Sequence, residues 1–205
     1  MKDIWKFLWE SDSPWSWIAD FVLAFLMVRF IFFPIMGLVL STSLPLVVVE
    51  SCSMEHGITN CGQNTAMGIC GNVFDSYEPL DFEAYWGLCG KWYEDRNISE
   101  SQFKGYSFSN GFNKGDIILV KGSQNYERGD VIIFGVSEQS TPIIHRIVYQ
   151  NEDLSFATKG DHNGDQLTNP DEKHTPKNRI IGKALLKVPY LGWIKLFFVD
   201  LIRKL

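Results

Sequence analysis

The stretch SLPLVVVESCSMEHG, Ser43 to Gly57, decides how the rest of the chain is read. Pro45 cannot continue a helix, and the β-branched run Val47–Val49 favours an extended strand. The strand ends in Glu50, and two serines then flank a cysteine ahead of Met54 and Glu55. In an extended segment Ser51 and Ser53 face one way and Cys52 the other. They are either ordinary turn residues or a nucleophile with a polar neighbour. A serine nucleophile needs a base within hydrogen-bond reach, so the second reading requires one downstream.

Upstream, from Trp15 to Val49, the only charges are Asp20 and Arg29. A helix needs about 20 mostly apolar residues to cross a bilayer, and Trp17–Leu40 supplies them. Trp15 and Trp17 fall where an interfacial aromatic belt is expected. A buried core helix is the alternative, and the all-round apolar character places it behind membrane insertion. Asp20 and Arg29 lie about 180° apart on a helix, so they cannot pair. A cleavable signal peptide would have a shorter apolar core behind a basic leader. Here the leader MKDIWKFLWESDS mixes three acids with two lysines. We therefore expect a retained anchor over residues 15–41, preceded by a short segment 1–14. The mixed leader charge leaves orientation open.

Residues 57–113 lack strong periodicity apart from a short helix expected near Asp81 to Tyr93. They are rich in Gly, Asn, Ser and aromatics. The aromatics argue against disorder, and the segment reads as an inserted subdomain. All four cysteines lie in or beside it: Cys52, Cys61, Cys70 and Cys89. None forms a Cys-x-x-Cys pair, so zinc has little support. Disulfides among Cys61, Cys70 and Cys89 are expected in an oxidising compartment, with reduced thiols as the alternative, and Cys52 is expected only to fill the face opposite the serines. Asn97 heads an Asn-Ile-Ser glycosylation sequon, a weak pointer to an external face.

From Lys114 onward, short apolar runs punctuated by Gly, Asp and Asn predict a compact, mostly β domain. It comprises residues 42–56 and 114–190. The tail, 191–205, places Ile194, Phe197, Phe198, Leu201 and Leu205 among Lys195, Asp200, Arg203 and Lys204. It is short for a spanning helix and reads as an amphipathic helix lying at a membrane surface. The net charge of −5 carries no signature of nucleic-acid binding.

His145 is a candidate base. It sits in the strand PIIHRIV with Ile143 and Ile147 on its face and Arg146 on the other. Alone it would read as a core histidine. His162 and His174 lie in polar loops, and His56 heads the insertion. A carboxylate to orient an imidazole is available from Asp161, Asp165 or Asp171, all in one turn-rich loop. Their spacing does not match a calcium loop.

Taken together, SCSME (51–55), GDIILV (115–120), RGDVIIF (128–134), HRIV (145–148), TKGDHN (158–163) and IGKALLKVPYLGWIK (181–195) follow one another as in a type I signal peptidase. The chain resembles the archaeal and endoplasmic-reticulum branch of that family. The resemblance covers the anchor, the residues to about Glu55, and Lys114 to about Lys195, but little of the insertion. It implies a signal-peptidase-like β catalytic domain, with Ser53 as nucleophile and Ser51 in the oxyanion hole. His145 stands where the bacterial branch has a lysine base. Asp161 is the implied third member, with Asp165 as a second acid and Asp171 as an alternative to it. His56 stands where the family has proline.

The resemblance implies a membrane-bound serine endopeptidase that removes signal peptides from secretory preproteins after small residues. It needs no cofactor, and its catalytic domain faces the extracytoplasmic or luminal side. Its partners would be the membrane, the preproteins and the protein translocation machinery. The alternatives are a non-catalytic accessory protein on the same scaffold, or a processing protease for other exported proteins.

Overall fold

The computed structural model describes residues 9–61, 66–137 and 139–203, with only the backbone described at 139, 140, 200 and 203. The chain forms two compact units, Met1–Pro45 and Leu46–Leu205.

In the first unit, α1 (Pro14–Met27), a π-helical turn (Val28–Phe32) and α2 (Phe33–Leu40) make one apolar helix. Ser13 caps its start by accepting the Trp15 N–H, and Pro14 takes the first position, where its missing N–H costs nothing. The wide turn has a local cause. Pro34 lacks the N–H that would bond the carbonyl four residues back, and the Phe33 N–H reaches Val28 instead. The helix stops at Ser41 in a left-handed conformation, φ 52°. Its 27 residues carry a window of mean hydropathy 2.4, none of it buried. A core helix would be covered. An exposed apolar helix of this length fits a single-pass membrane anchor.

The second unit is built on a six-stranded sheet in which every neighbouring pair is antiparallel. Its strands in chain order are β1 (Leu46–Val48), β6 (Ile117–Lys121), β7 (Val131–Val136), β8 (Gln139–Gln150), β9 (Phe156–Lys159) and β10 (Ile180–Val188). In space the order is β1-β6-β10-β7-β8-β9, so β1 and β9 are edges. Between β1 and β6 come β2 (Gly57–Ile58), β3 (Met67–Ile69), β4 (Asn72–Phe74), β5 (Glu78–Pro79), α3 (Phe82–Glu94) and α4 (Glu100–Lys104). The chain ends in α5 (Trp193–Arg203).

The chain is thus mixed α/β with a large antiparallel sheet, not mostly β. The difference comes from residues 57–113, whose aromatics serve helix packing. The expected helix is α3, capped by the Asp81 carboxylate on the Ala84 N–H. It buries Tyr85, Trp86, Cys89 and Tyr93 with Ile98 and Phe103. This cluster packs on Val148 of β8 and Ala157 of β9. The insertion therefore lids one face of the sheet instead of standing apart from it. Burying each large apolar side chain contributes about 1.5–3 kcal/mol.

All four cysteines pair, Cys52 with Cys61 and Cys70 with Cys89. Cys52 therefore does more than fill the face opposite the serines: it ties the serine turn to the insertion. The tail is a helix held by buried Leu196 and by Lys195 on Glu50 at 2.9 Å. Its Ile194, Phe197, Phe198 and Leu201 are exposed. Lys204 and Leu205 lie outside the described residues, as do the side chains of Asp200 and Arg203.

Candidate active site

Ser51 and Ser53 lie in a turn, not on the strand, which ends at Val48. Their hydroxyls nevertheless meet at 3.2 Å. The turn is pinned from several sides. The Ser53 carbonyl accepts the His162 N–H at 2.9 Å, and the Met54 carbonyl accepts the Phe112 N–H at 2.9 Å. Asp161 donates its N–H to the Met54 sulfur. Met54 is buried, whereas Ser51 is exposed and Ser53 partly so. The nucleophile candidate is therefore open to an incoming chain on a rigid base.

His145 sits opposite Ile132 on β7 and is 2% exposed. Its Nδ1 meets the Glu172 carboxylate in a short hydrogen bond. Glu172 is wholly buried and further held by the Leu167 N–H at 2.7 Å and the Thr158 hydroxyl at 3.2 Å. The other ring nitrogen, Nε2, points to Gly160. A Cβ at Gly160 would lie 2.7 Å from both His145 Nε2 and the Ser53 carbonyl oxygen. Only glycine lets the serine turn and the histidine approach this closely. In this structure the Ser53 hydroxyl bonds to Ser51 and not to His145.

Asp161 sits elsewhere. The carboxylate that meets His145 Nδ1 is that of Glu172, and Asp161 pairs with Arg146. Arg146 projects to the opposite face of β8 from His145, and Asp161 follows it. The Asp161 carboxylate takes Nε and Nη2 of Arg146 (3.0 and 2.7 Å), the Tyr93 hydroxyl (3.1 Å) and His56 Nε2 (3.1 Å). Burial alone would push this carboxyl up. The Arg146 charge and the hydrogen bonds from His56 and Arg146 outweigh burial and hold it well below the ordinary range. Arg146 also donates to the carbonyls of Ser107, Phe108 and Gly129. This cluster, in which His56 Nδ1 is the one buried side-chain polar atom without a hydrogen-bond partner among the described residues, locks the insertion to the strand beside the serine turn.

Two further histidines, His56 at the head of the insertion and His162 in the loop after β9, are buried in the same frame. The His56 ring stacks on Tyr85 at 3.6 Å, and burial lowers its pKa despite Asp161. His162 donates Nδ1–H to the Glu55 carbonyl, and burial lowers its pKa too. Lys159 is buried against the rings of Trp92 and Tyr93, donates to the Gly160 carbonyl, and is pulled down to about 8 by burial.

The remaining acids do not reach His145. Asp165 is exposed and accepts the Trp92 indole N–H at 2.8 Å. Asp171 is exposed and bonds the Lys173 N–H and His174. Glu172 gave no signal beyond its place in an acidic loop. Only the fold distinguishes it from its neighbour Asp171.

Two cavities flank the serine turn and share Glu50 and Ser51. One, of about 180 Å³, is lined by Val48, Val49, Met54, Phe112, Ile143 and Ile144 along with Ser53. The other is a cleft of about 1100 Å³, walled partly by the insertion.

A serine beside a buried histidine, whose far nitrogen meets a buried carboxylate, has the composition of an acyl-transfer centre. Known proteins point the same way. The chain is 27% identical over 103 residues to the signal peptidase complex catalytic subunit SEC11C of Homo sapiens, covering 46% of this chain and 54% of that protein. It is 31% identical over 97 residues to SEC11 of Eremothecium gossypii, covering 43% and 58%. With SEC11 of Colletotrichum graminicola it shares 25% over 103 residues, covering 46% and 60%. The chain spans a little over half the length of these curated relatives. No family model matches it. The chain thus carries a distant, consistent similarity to the catalytic subunits of signal peptidase complexes, a branch of the type I signal peptidases.

Proposed function

We propose that the chain is a membrane-anchored serine endopeptidase that removes signal peptides from exported precursors. Ser53 gives its proton to His145 Nε2 as Oγ attacks the scissile carbonyl. Glu172 holds the tautomer that leaves Nε2 free and stabilises the imidazolium. The Ser51 hydroxyl, already at Ser53, donates to the developing oxyanion, a contribution of about 2.7–4 kcal/mol for one such donor. His145 then protonates the leaving amine. Water, deprotonated by the same histidine, hydrolyses the Ser53 ester.

The observation that carries this reading is the meeting at Gly160 of the serine turn and a carboxylate-bound histidine, in a chain similar to signal peptidase catalytic subunits. The small apolar cavity beside Ser53 suits a small side chain before the cut. The free edge of β1 offers main-chain pairing to an extended substrate. The apolar N-terminal helix would hold the enzyme at the membrane where such precursors are also held, which raises the effective concentration. The catalytic unit would then face the extracytoplasmic or luminal side.

Purified full-length protein in detergent should cut a precursor once, after a small residue at its signal-peptide junction. Ser53→Ala should reduce the rate by about 10³-fold or more while leaving circular dichroism unchanged. Near-normal cleavage by that variant would refute the mechanism, and a folded wild type inert toward every precursor would favour a non-catalytic role.

A further inference from the structure

The insertion at residues 57–113 is the part of the chain that the proposed peptidase reaction leaves unused. Its Tyr77, Leu80, Asp81 and Phe82 form one wall of the large cleft, and Glu50, Ser51 and Glu55 of the serine turn form another. A peptide passing Ser53 in extended form has two ends. The apolar cavity of about 180 Å³ beside Ser53 accepts one, and the cleft, which shares Glu50 and Ser51 with it, is the room for the other.

The two sides differ in chemistry. The cavity is mostly aliphatic, whereas the cleft adds Glu55 and Asp81 to the Glu50 that both share, against a single Lys114. Glu50 is already paired with Lys195, and Lys114 sits over the Trp193 ring. Glu55 is different. It lies two residues past Ser53, and burial, followed by the like charge of Asp116, pushes its carboxyl above the ordinary range. Glu55 forms no ion pair among the described residues, whereas Asp116 has Lys187 at 3.9 Å. Asp81 spends one oxygen on the α3 cap. A half-buried carboxylate held next to another, facing a roomy cleft beside a nucleophile, calls for a cation from outside the chain.

We propose that the insertion-walled cleft binds the substrate segment that follows the scissile bond and selects a lysine or arginine there through Glu55 and Asp81. This rests on the peptidase reading and gives its site a substrate preference on the departing side. The insertion then serves as a specificity wall, and precursors with acidic residues just after the cut are poor substrates.

Three peptides test this. They are identical through the small residues before the cut, and carry lysine, alanine or glutamate at the second and third positions after it. With full-length wild type in detergent, kcat/KM should be roughly tenfold higher for the lysine peptide than for the glutamate peptide. Glu55→Gln should shrink that ratio roughly fivefold. Asp81→Asn, which keeps the helix cap, should act in the same direction. Equal rates on all three peptides, or a ratio unchanged in both variants, would overturn the specificity proposal and leave the peptidase reading standing. Failure to cut any of the three, by protein that is folded, would overturn both.

Discussion

At the residue scale, the two acids of the loop after β9 do different work. Asp161 closes a buried network with Arg146, His56 and Tyr93. Glu172 serves His145. Removing one partner of a buried ion pair costs about 3–5 kcal/mol, because the other charge is left unpaired. Asp161→Asn should therefore destabilise the protein by roughly that amount at pH 7, measured by urea denaturation. The sign of the pH dependence follows from the depressed carboxyl. A group whose folded pKa is lowered stabilises the fold above its unfolded value and loses that contribution as pH falls below it. The gap between wild type and variant should narrow as pH drops below about 3.9. A gap that stays constant to low pH would show that Asp161 does not stabilise as an anion.

Residue identity was the most legible layer in part. The Ser51–Ser53 pair and His145 stand out in the sequence, and the structure brings the Ser53 carbonyl and His145 Nε2 together at Gly160. The carboxylate partner was not legible. Asp161, Asp165, Asp171 and Glu172 all sit in one loop, and alternation along a chain says nothing about which acid a loop folds inward. The serine pair itself came together for a different reason than expected. A strand would have placed the two hydroxyls on one face, but a turn brings them within 3.2 Å.

At the element scale, strand periodicity and helix caps carried most of the information. The runs after Lys114 became β6 to β10, and Asp81 marked the start of α3. The insertion was less readable because its order comes from tertiary contacts. Phe103 is wholly buried among Tyr85, Trp86, Tyr93 and Tyr106, which are distant from it or weakly periodic in sequence. Arg146 stacks on the same ring at 4.8 Å. The Cys70–Cys89 disulfide fastens the β3–β4 hairpin to α3, and the Cys70 N–H bonds the His162 carbonyl. The insertion thus buttresses the loop that holds Asp161 and His162. Close approaches were also hidden in the sequence. Gly192 packs on Gly115 and Val48, and Trp193 closes over Gly115 at φ +90°, which fixes the start of α5 against the head of β6.

At the scale of the whole molecule, the second unit carries its own apolar surface. Leu185, Leu186, Tyr190 and Leu191 are exposed beside Ile194, Phe197, Phe198 and Ile202 of α5. A patch of this composition on a soluble unit marks a contact surface, and an amphipathic terminal helix fits the lipid interface. Residues 46–205, expressed without the apolar helix, should fold and float with phosphatidylcholine vesicles on a density gradient. Replacing Phe197 and Phe198 by serine should release most of the protein to the soluble fraction. Failure of the unaltered fragment to bind vesicles would assign the surface to another protein.

The Ser53–His145–Glu172 assignment turns on which carboxylate serves the histidine. Its most direct test is the kcat for precursor cleavage by Glu172→Gln full-length protein. Glutamine preserves shape but cannot stabilise an imidazolium. We predict a fall of about 10²–10⁴-fold in kcat per folded protein with KM little changed, together with a lowered urea midpoint, because the amide nitrogen cannot accept the hydrogen bond that a carboxylate oxygen takes there. A Glu172→Gln enzyme that turns over at the wild-type rate would contradict the Ser53–His145–Glu172 assignment.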